Sequence, residues 1–128
     1  MQVQTGLSAR VELTVTDADT AQTLGSGDVP VLGTPRVLAL AEAATVAALA
    51  GRLDPGATTV GTHVEVDHVA ATPIGRHVTV LAILAKVDGR RLHFDIVVRD
   101  GAELVAEGRV ERVVVDRQRF LAKAMHDS

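Results

Sequence analysis

Residues 33–51 have the sequence GTPRVLALAEAATVAALAG, which predicts one long helix at the centre of the fold. Thr34 is a suitable N-cap residue, and Pro35 is favoured at the first helical position. The segment from Arg36 to Ala50 is rich in alanine and leucine, which are strong helix formers, and Gly51 favours termination. The stretch therefore predicts a helix with clear signals at both ends.

This helix is apolar on nearly every side. Between Val37 and Ala50 the only polar residues are Glu42 and Thr45. A helix with this pattern is expected to be buried, and its many alanines allow a sheet to approach closely.

Apolar residues alternate with polar ones in five other segments, which predicts strands joined by tight turns. Asp88-Gly89 and Asp100-Gly101 are strong hairpin signals, and Gly108 suggests a bulge in the last strand. Tight hairpins make the sheet antiparallel, so we expect an α+β fold in a single domain, residues 1–128. The predicted strands are Ala9–Thr16, Thr58–Ala71, His77–Val87, Arg91–Arg99 and Glu103–Val115, with a loop at Asp17–Asp28 and a short terminal helix at Asp116–Ala124.

The composition excludes several classes of function. The chain has no cysteine, so it can form neither disulfides nor thiolate metal sites, and a cytoplasmic setting fits. A net charge of −3 argues against a nucleic-acid partner. Phe94 and Phe120 are the only aromatic residues, so base stacking on aromatic platforms is unavailable. We find no secretion signal and no segment that would cross a membrane.

Three polar residues lie among apolar neighbours. Glu42 lies midway along the apolar helix, where it is either a structural group or a general base. His68 falls on the apolar side of its strand by period-two counting, with Val60 and Thr62, and is either a core residue or a proton carrier. Thr34 caps the helix, but a helix N-terminus can also bind a carbonyl oxygen.

The separation of Thr34 and Glu42 along the helix limits how these residues could share one site. Thr34 and Glu42 are eight residues apart, which is about 12 Å of rise along a helix. The segment His77–Val87 is also apolar on both faces, although one domain can cover only one of them. Both observations favour a homodimer, or a tetramer built from it, with a site between chains.

Four segments together carry a resemblance to a known family. The chain resembles the fluoroacetyl-CoA thioesterase-like family of hotdog proteins over nearly its whole length. The matching segments are Val31–Ala43, Val60–Gly75, Val87–Leu92 and Arg119–Lys123.

The resemblance implies a hotdog fold, with a five-stranded antiparallel sheet wrapped around the helix. It implies a dimeric enzyme that hydrolyses a small or medium acyl-CoA thioester and needs no cofactor or metal. Thr34, Glu42 and His68 match the family's catalytic set, and Gly61 matches the glycine that approaches the substrate carbonyl. Gly33, Pro35 and Thr62 are expected to line the substrate site.

The family's namesake covers the acyl group with aromatic residues, which the loop at residues 25–33 lacks. We therefore transfer the reaction type and not the acyl group. An alternative function is a non-catalytic module that binds acyl-CoA or a small hydrophobic ligand. A hotdog dehydratase is disfavoured because its Asp-x-Asn-x-x-His pattern is absent. Candidates to contact the phosphates of CoA are Arg76, Arg90, Arg91, Arg117, Arg119 and Lys123.

Overall fold

A computed structural model describes residues 2–126 of the chain as one long helix packed on one antiparallel sheet. The predicted loop at residues 17–28 is wrong in part, because it contains a 3-10 turn and a short helix. The hydroxyl of Thr20 accepts a hydrogen bond from the Thr23 N–H and so caps that short helix. In chain order the elements are β1 (Ser8–Thr14), the 3-10 turn (Asp17–Asp19), α1 (Ala21–Leu24), α2 (Thr34–Ala48), β2 (Ala57–His68), β3 (His77–Asp88), β4 (Arg91–Asp100), β5 (Glu103–Asp116) and α3 (Arg117–Ala124).

The five strands form a single sheet in the order β1-β3-β4-β5-β2, with every neighbouring pair antiparallel. The two predicted Asp-Gly hairpins are confirmed, since Gly89 and Gly101 turn the chain with φ of 61° and 60°. The strands β1 and β2 lie at the two edges of the sheet. Each therefore presents one side without a neighbouring strand among residues 2–126.

The helix α2 lies across one face of the sheet, and its buried side includes Val37, Ala41 and Ala44, each fully buried. The prediction that this helix is buried all round is wrong for the single chain. Its outer side is exposed at Ala43 and Ala47, and Val46 keeps 51% of its surface exposed. This outer side is almost entirely apolar, which is unusual for a surface left in water.

The sheet is irregular where β2 pairs with β5, between Gly61 and His63. This shift reverses the alternation of side chains, so the expectation that Val60 and Thr62 share a face with His68 is wrong. No such shift occurs at Gly108, where we predicted a bulge. A side chain there would overlap the Glu65 carbonyl, so Gly108 allows a close backbone approach instead.

The core lies between α2 and the concave face of the sheet. Four β3 residues on this face are buried, whereas Ile83 on the opposite face is 40% exposed. No helix within residues 2–126 is both long enough and apolar enough to cross a membrane.

Candidate active site

The first element of the site is a hydrogen bond between the start of α2 and the end of β2. The Thr34 Oγ1 atom lies 2.8 Å from His68 Nδ1. The prediction that Thr34 is the N-cap is wrong: Gly33 occupies that position, and Thr34 is the first helical residue. The Thr34 hydroxyl is thereby free to bond the imidazole rather than its own helix.

The other imidazole nitrogen, His68 Nε2, is buried and makes no hydrogen bond within residues 2–126. Burial lowers the pKa of His68, and a contact with the Ala70 backbone opposes this effect only in part. The imidazole is therefore held in its neutral form near pH 7, with one nitrogen on Thr34 and the other without a partner. A buried polar atom without a partner is costly, so this nitrogen is available to a group other than residues 2–126.

Packing against the α1 region fixes the position of Thr34. The Gly33 N–H donates to the Asp19 carbonyl at 2.9 Å, and a side chain at Gly33 would lie 3.0 Å from the Ala21 backbone. The Asp19 carboxylate in turn accepts from Arg36 Nε at 2.9 Å. Asp19 thus connects to both sides of Thr34 and holds the start of the helix in place.

The second element of the site is an ion pair in the middle of α2. Arg112 Nη1 lies 3.2 Å from Glu42 Oε2, and the same guanidinium donates to Thr59 Oγ1 and to the Thr59 carbonyl. The Arg112 side chain is 8% exposed and that of Glu42 is 41% exposed. The helix was expected to be buried, but the Glu42 carboxylate on it is paired with Arg112 and partly exposed to solvent.

Gly61 faces the Glu42 carboxylate directly. A Cβ atom at this position would lie 2.5 Å from Glu42 Oε2 and 3.5 Å from Arg112 Nη1. The absence of a side chain at residue 61 therefore makes the space that the carboxylate occupies.

The two elements are separate within one chain. Glu42 lies about 12 Å along the helix axis from Thr34, and no hydrogen bond or ion pair described above connects the two groups. A cavity of about 290 Å³ opens beside Thr34 and His68, with aliphatic walls that include Val29, Val31 and Val69. Glu42 does not line this cavity.

The remaining predicted substrate-binding residues lie in different places. Gly33 and Pro35 flank Thr34 at the start of α2. Thr62 instead donates to Glu111 Oε2 at 2.8 Å, on the face of the sheet opposite Arg112. Its role in substrate binding stays a prediction.

Sequence reasoning did not find Arg112 as a site residue. It lies in β5, 70 positions from Glu42, and is one of two arginines in that strand. Alternation in β5 places Arg112 on the same face as Val110 and Val114, which is predicted to be buried. A charged residue on a buried face indicates a paired or functional group, and this pattern could have identified Arg112.

Comparison with known proteins bears on the identity of this arrangement. Residues 15–118 match the family model FlK, described as fluoroacetyl-CoA-specific thioesterase. The chain belongs to this family. The fluoroacetyl-CoA thioesterase of Streptantibioticus cattleyicolor is 42% identical over 93 residues, which are 73% of this chain and 67% of that protein.

Solved structures agree with the FlK assignment. A structure of the fluoroacetyl-CoA thioesterase FlK superposes with a TM-score of 0.90 at 33% identity and covers 98% of both chains. Variants of FlK have been solved with acetyl-CoA and with fluoroacetate and CoA. A hot-dog-like protein from Thermanaerovibrio acidaminovorans, 24% identical, has a TM-score of 0.86 over 97% of this chain and 94% of its own, which supports the fold.

These matches confirm the predicted family and the hotdog fold. They also confirm the predicted activity, hydrolysis of acyl-CoA thioesters.

Proposed function

We propose that the chain hydrolyses its thioester in a site built by two copies, with Thr34 and His68 from one chain and Glu42 from the other. The observation that carries this proposal is the division of the site into two separate elements within one chain. Each element can also bind a further group, because His68 Nε2 has no hydrogen-bond partner in the described part of the chain and the Glu42 carboxylate is partly exposed.

The edge strand β2 supplies a way to join the two elements. It carries His68 near one end and Gly61 seven residues earlier, and Gly61 contacts Glu42. If two β2 edges pair antiparallel about an axis near Val64 and Glu65, His68 of each chain lies beside the partner's Gly61. His68 then approaches the partner's Glu42.

The exposed side of α2 supports the same assembly. The helix runs along β2, since Thr34 bonds His68 and Glu42 lies against Gly61. Its exposed side is apolar at Ala43, Val46 and Ala47. Burying this stripe against a second copy removes apolar surface from water and encloses the cleft between the chains.

The chemistry follows from these groups. The thioester oxygen accepts a hydrogen bond at the N-terminus of α2, where the Thr34 N–H and the helix dipole stabilise developing negative charge. Pro35 has no N–H, and the Arg36 and Val37 N–H groups already bond the Gly33 carbonyl.

Glu42 removes a proton from water as the hydroxyl oxygen bonds to the carbonyl carbon. The C–S bond breaks, and the CoA thiolate receives that proton through His68. The products are the free acid and CoA.

Glu42 could instead attack the carbonyl carbon itself and form an anhydride that water then hydrolyses. A single turnover in H₂¹⁸O detects the nucleophilic route when water attacks the Glu42 carbonyl carbon of the anhydride. Label enters the Glu42 carboxylate only if that carboxylate is the nucleophile.

We also propose that the acyl group of the substrate is small or medium in size. The cavity beside Thr34 measures about 290 Å³ and has aliphatic walls, which suits a short acyl chain. The aromatic residues lie elsewhere, with Phe94 in the core and Phe120 in α3.

Thiol release from a panel of short and medium acyl-CoAs tests the function. The chain has no cysteine, so a thiol reagent reports only on CoA. We expect His68→Ala and Glu42→Ala each to lower kcat by about 100-fold or more, as removal of a general base or acid does. The matched control is His77→Ala, because His77 is exposed, contacts Thr14 and Glu12, and lies beside the opposite edge strand β1.

Two results would count against the proposal. Tight CoA binding without thiol release from any substrate would favour the non-catalytic binding module. Elution at the size of a monomer, with full activity, would exclude the two-chain site.

A further inference from the structure

The strand β2 presents both elements of the site to the same helix, although they are an odd number of residues apart. His68 bonds Thr34 at the start of α2, and Gly61, seven residues earlier, faces Glu42. Successive side chains of a regular strand point to opposite faces, so positions seven residues apart lie on opposite faces. A regular β2 with His68 facing α2 would therefore turn Gly61 to the outer face of the sheet, the face opposite α2.

One extra residue in β2 removes this mismatch. Gly61 pairs with Arg112 and His63 pairs with Glu111, so Thr62 is the extra residue of a β-bulge, in which two residues of one strand oppose one of the other. The β2 residues on the core side of the sheet are odd-numbered before the bulge and even-numbered after it: Ala57, Thr59 and Gly61, then Val64, Val66 and His68. The bulge therefore brings Gly61 and His68 to the same side.

The Thr62 hydroxyl holds this bulge to the neighbouring strand. It lies 2.8 Å from Glu111 Oε2 and 3.3 Å from the carbonyl of Glu111, the residue that the bulge opposes. The hydrogen bond from Thr62, together with the charges of Arg91 and His93, lowers the pKa of Glu111. The carboxylate is therefore ionised near pH 7 and can only accept, so Thr62 donates a charge-assisted hydrogen bond.

Glu111 is itself held in place by contacts with β4. Its Oε1 atom accepts from Arg91 Nη1 at 3.4 Å and lies 3.8 Å from His93 Nε2, and its side chain is only 18% exposed. The next residue along β5, Arg112, points to the core side and bonds Glu42. One peptide unit of β5 thus connects the contact on the outer face with the carboxylate of the active site.

We propose that Thr62 and Glu111 are positioning residues of the active site. Their hydrogen bond on the outer face fixes the bulge, and the bulge places Gly61 against Glu42 and keeps His68 on the same side of the sheet. Thr62 then acts on turnover without touching the substrate, because its hydroxyl is bonded on the face opposite α2. This inference rests on the proposed function, because it names the residues that orient the proposed catalytic groups.

The substitution Thr62→Val tests this role, because valine keeps the β-branched shape and removes the hydroxyl. We expect kcat to fall about tenfold or more for the acyl-CoA that the wild type hydrolyses fastest, since small displacements of catalytic groups are costly. The KM should stay within about twofold of the wild-type value. Thr62→Ser keeps the hydroxyl and should retain wild-type kcat.

Variants of Glu111 test the other half of the contact. Glu111→Ala should lower kcat as Thr62→Val does, whereas Glu111→Gln keeps an acceptor oxygen and should lose less. The matched control is Thr79→Val, the same substitution on the outer face of β3, where Thr79 alternates with two buried valines. It should have wild-type kcat and KM.

Hydrogen exchange supplies a readout that does not depend on turnover. The amides of residues 57–64 should exchange faster in Thr62→Val than in the wild type, Thr62→Ser or Thr79→Val, because the pairing of β2 with β5 around the bulge loosens. Thermal unfolding followed by circular dichroism checks that each variant is folded at the assay temperature.

The outcomes separate this inference from the proposed function. Wild-type kcat in Thr62→Val, or unchanged exchange at residues 57–64, would overturn the positioning role. A raised KM with unchanged kcat would also overturn it, because that result indicates contact between Thr62 and the substrate. If Glu42→Ala and His68→Ala both keep wild-type kcat, the proposed function fails, and the exchange measurement still decides whether Thr62 holds the bulge.

Discussion

The substitution Gly61→Ala tests whether the position of Glu42 controls turnover. The new Cβ atom would lie 2.5 Å from Glu42 Oε2, and ordinary van der Waals contact begins near 3.4 Å. The carboxylate must therefore move by about 0.9 Å, which also lengthens its 3.2 Å contact with Arg112. A misplacement of about 1 Å can cost about 100-fold in rate, so we expect kcat to fall by that order.

The fold should tolerate this change. Gly61 is not among the glycines with positive φ, so alanine can adopt its backbone conformation. Alanine restricts the unfolded chain and adds about 0.4–1 kcal/mol of stability, which offsets a weakened ion pair to a half-exposed Glu42. Thiol release measures kcat, and thermal unfolding followed by circular dichroism measures stability.

A compensating variant provides the control. Glu42→Asp/Gly61→Ala has a shorter side chain facing the added methyl group, so the double variant should melt no lower than Gly61→Ala alone. Full wild-type kcat in Gly61→Ala, with a crystal structure showing that the carboxylate has shifted, would refute the reasoning.

Three further predictions concern pH and the supporting residues. Because the pKa of His68 lies below its ordinary value of 6.5, the unfolded chain takes up this proton first as the pH falls, and the native state loses stability below about pH 6.5. Urea unfolding at pH 7.5 and 5.0 should show a smaller loss in His68→Asn than in the wild type. Burial alone would raise the pKa of Asp19, but hydrogen bonds from the Thr16 N–H and from Arg36 outweigh it and lower the pKa. The stability that Asp19 provides is therefore present above about pH 4 and lost as the pH falls through its native pKa, and Asp19→Asn should cost about 1–2 kcal/mol at pH 7 in the same assay. Arg112→Met keeps an apolar stem of similar length but leaves Glu42 and the Thr59 carbonyl without their shared donor, so the free energy of unfolding should fall by about 1–3 kcal/mol. In the thiol assay kcat should fall at least about tenfold; an unchanged kcat would separate Arg112 from the chemistry.

The sequence predicts those parts of the fold that depend on neighbouring residues. The alanine-rich run predicts α2, and the Asp-Gly pairs predict both hairpins, because helix propensity and turn chemistry act over a few residues. The pairing of Thr34 with His68 was not predicted in this form. This hydrogen bond requires Gly33, rather than Thr34, to be the N-cap of α2. The position of the N-cap depends on contacts of Gly33 with Asp19 and Ala21, which are distant in sequence.

Long-range contacts account for the other differences. The irregularity between Gly61 and His63 changes which β2 residues face α2, and strict alternation does not reveal it. The ion pair between Glu42 and Arg112 joins residues 70 positions apart, so it depends on strand order. Composition and motifs therefore identify the family, and the structure identifies which groups meet.

Mixed dimers test the two-chain site most directly. A Glu42→Gln chain and a His68→Ala chain, carrying different tags, are co-expressed and purified as the heterodimer through both tags. If one chain's His68 works with the partner's Glu42, the heterodimer contains one intact site and one doubly defective site, and it should recover about half of the wild-type kcat. A heterodimer as inactive as either parent homodimer would show that each chain uses its own Glu42 and His68.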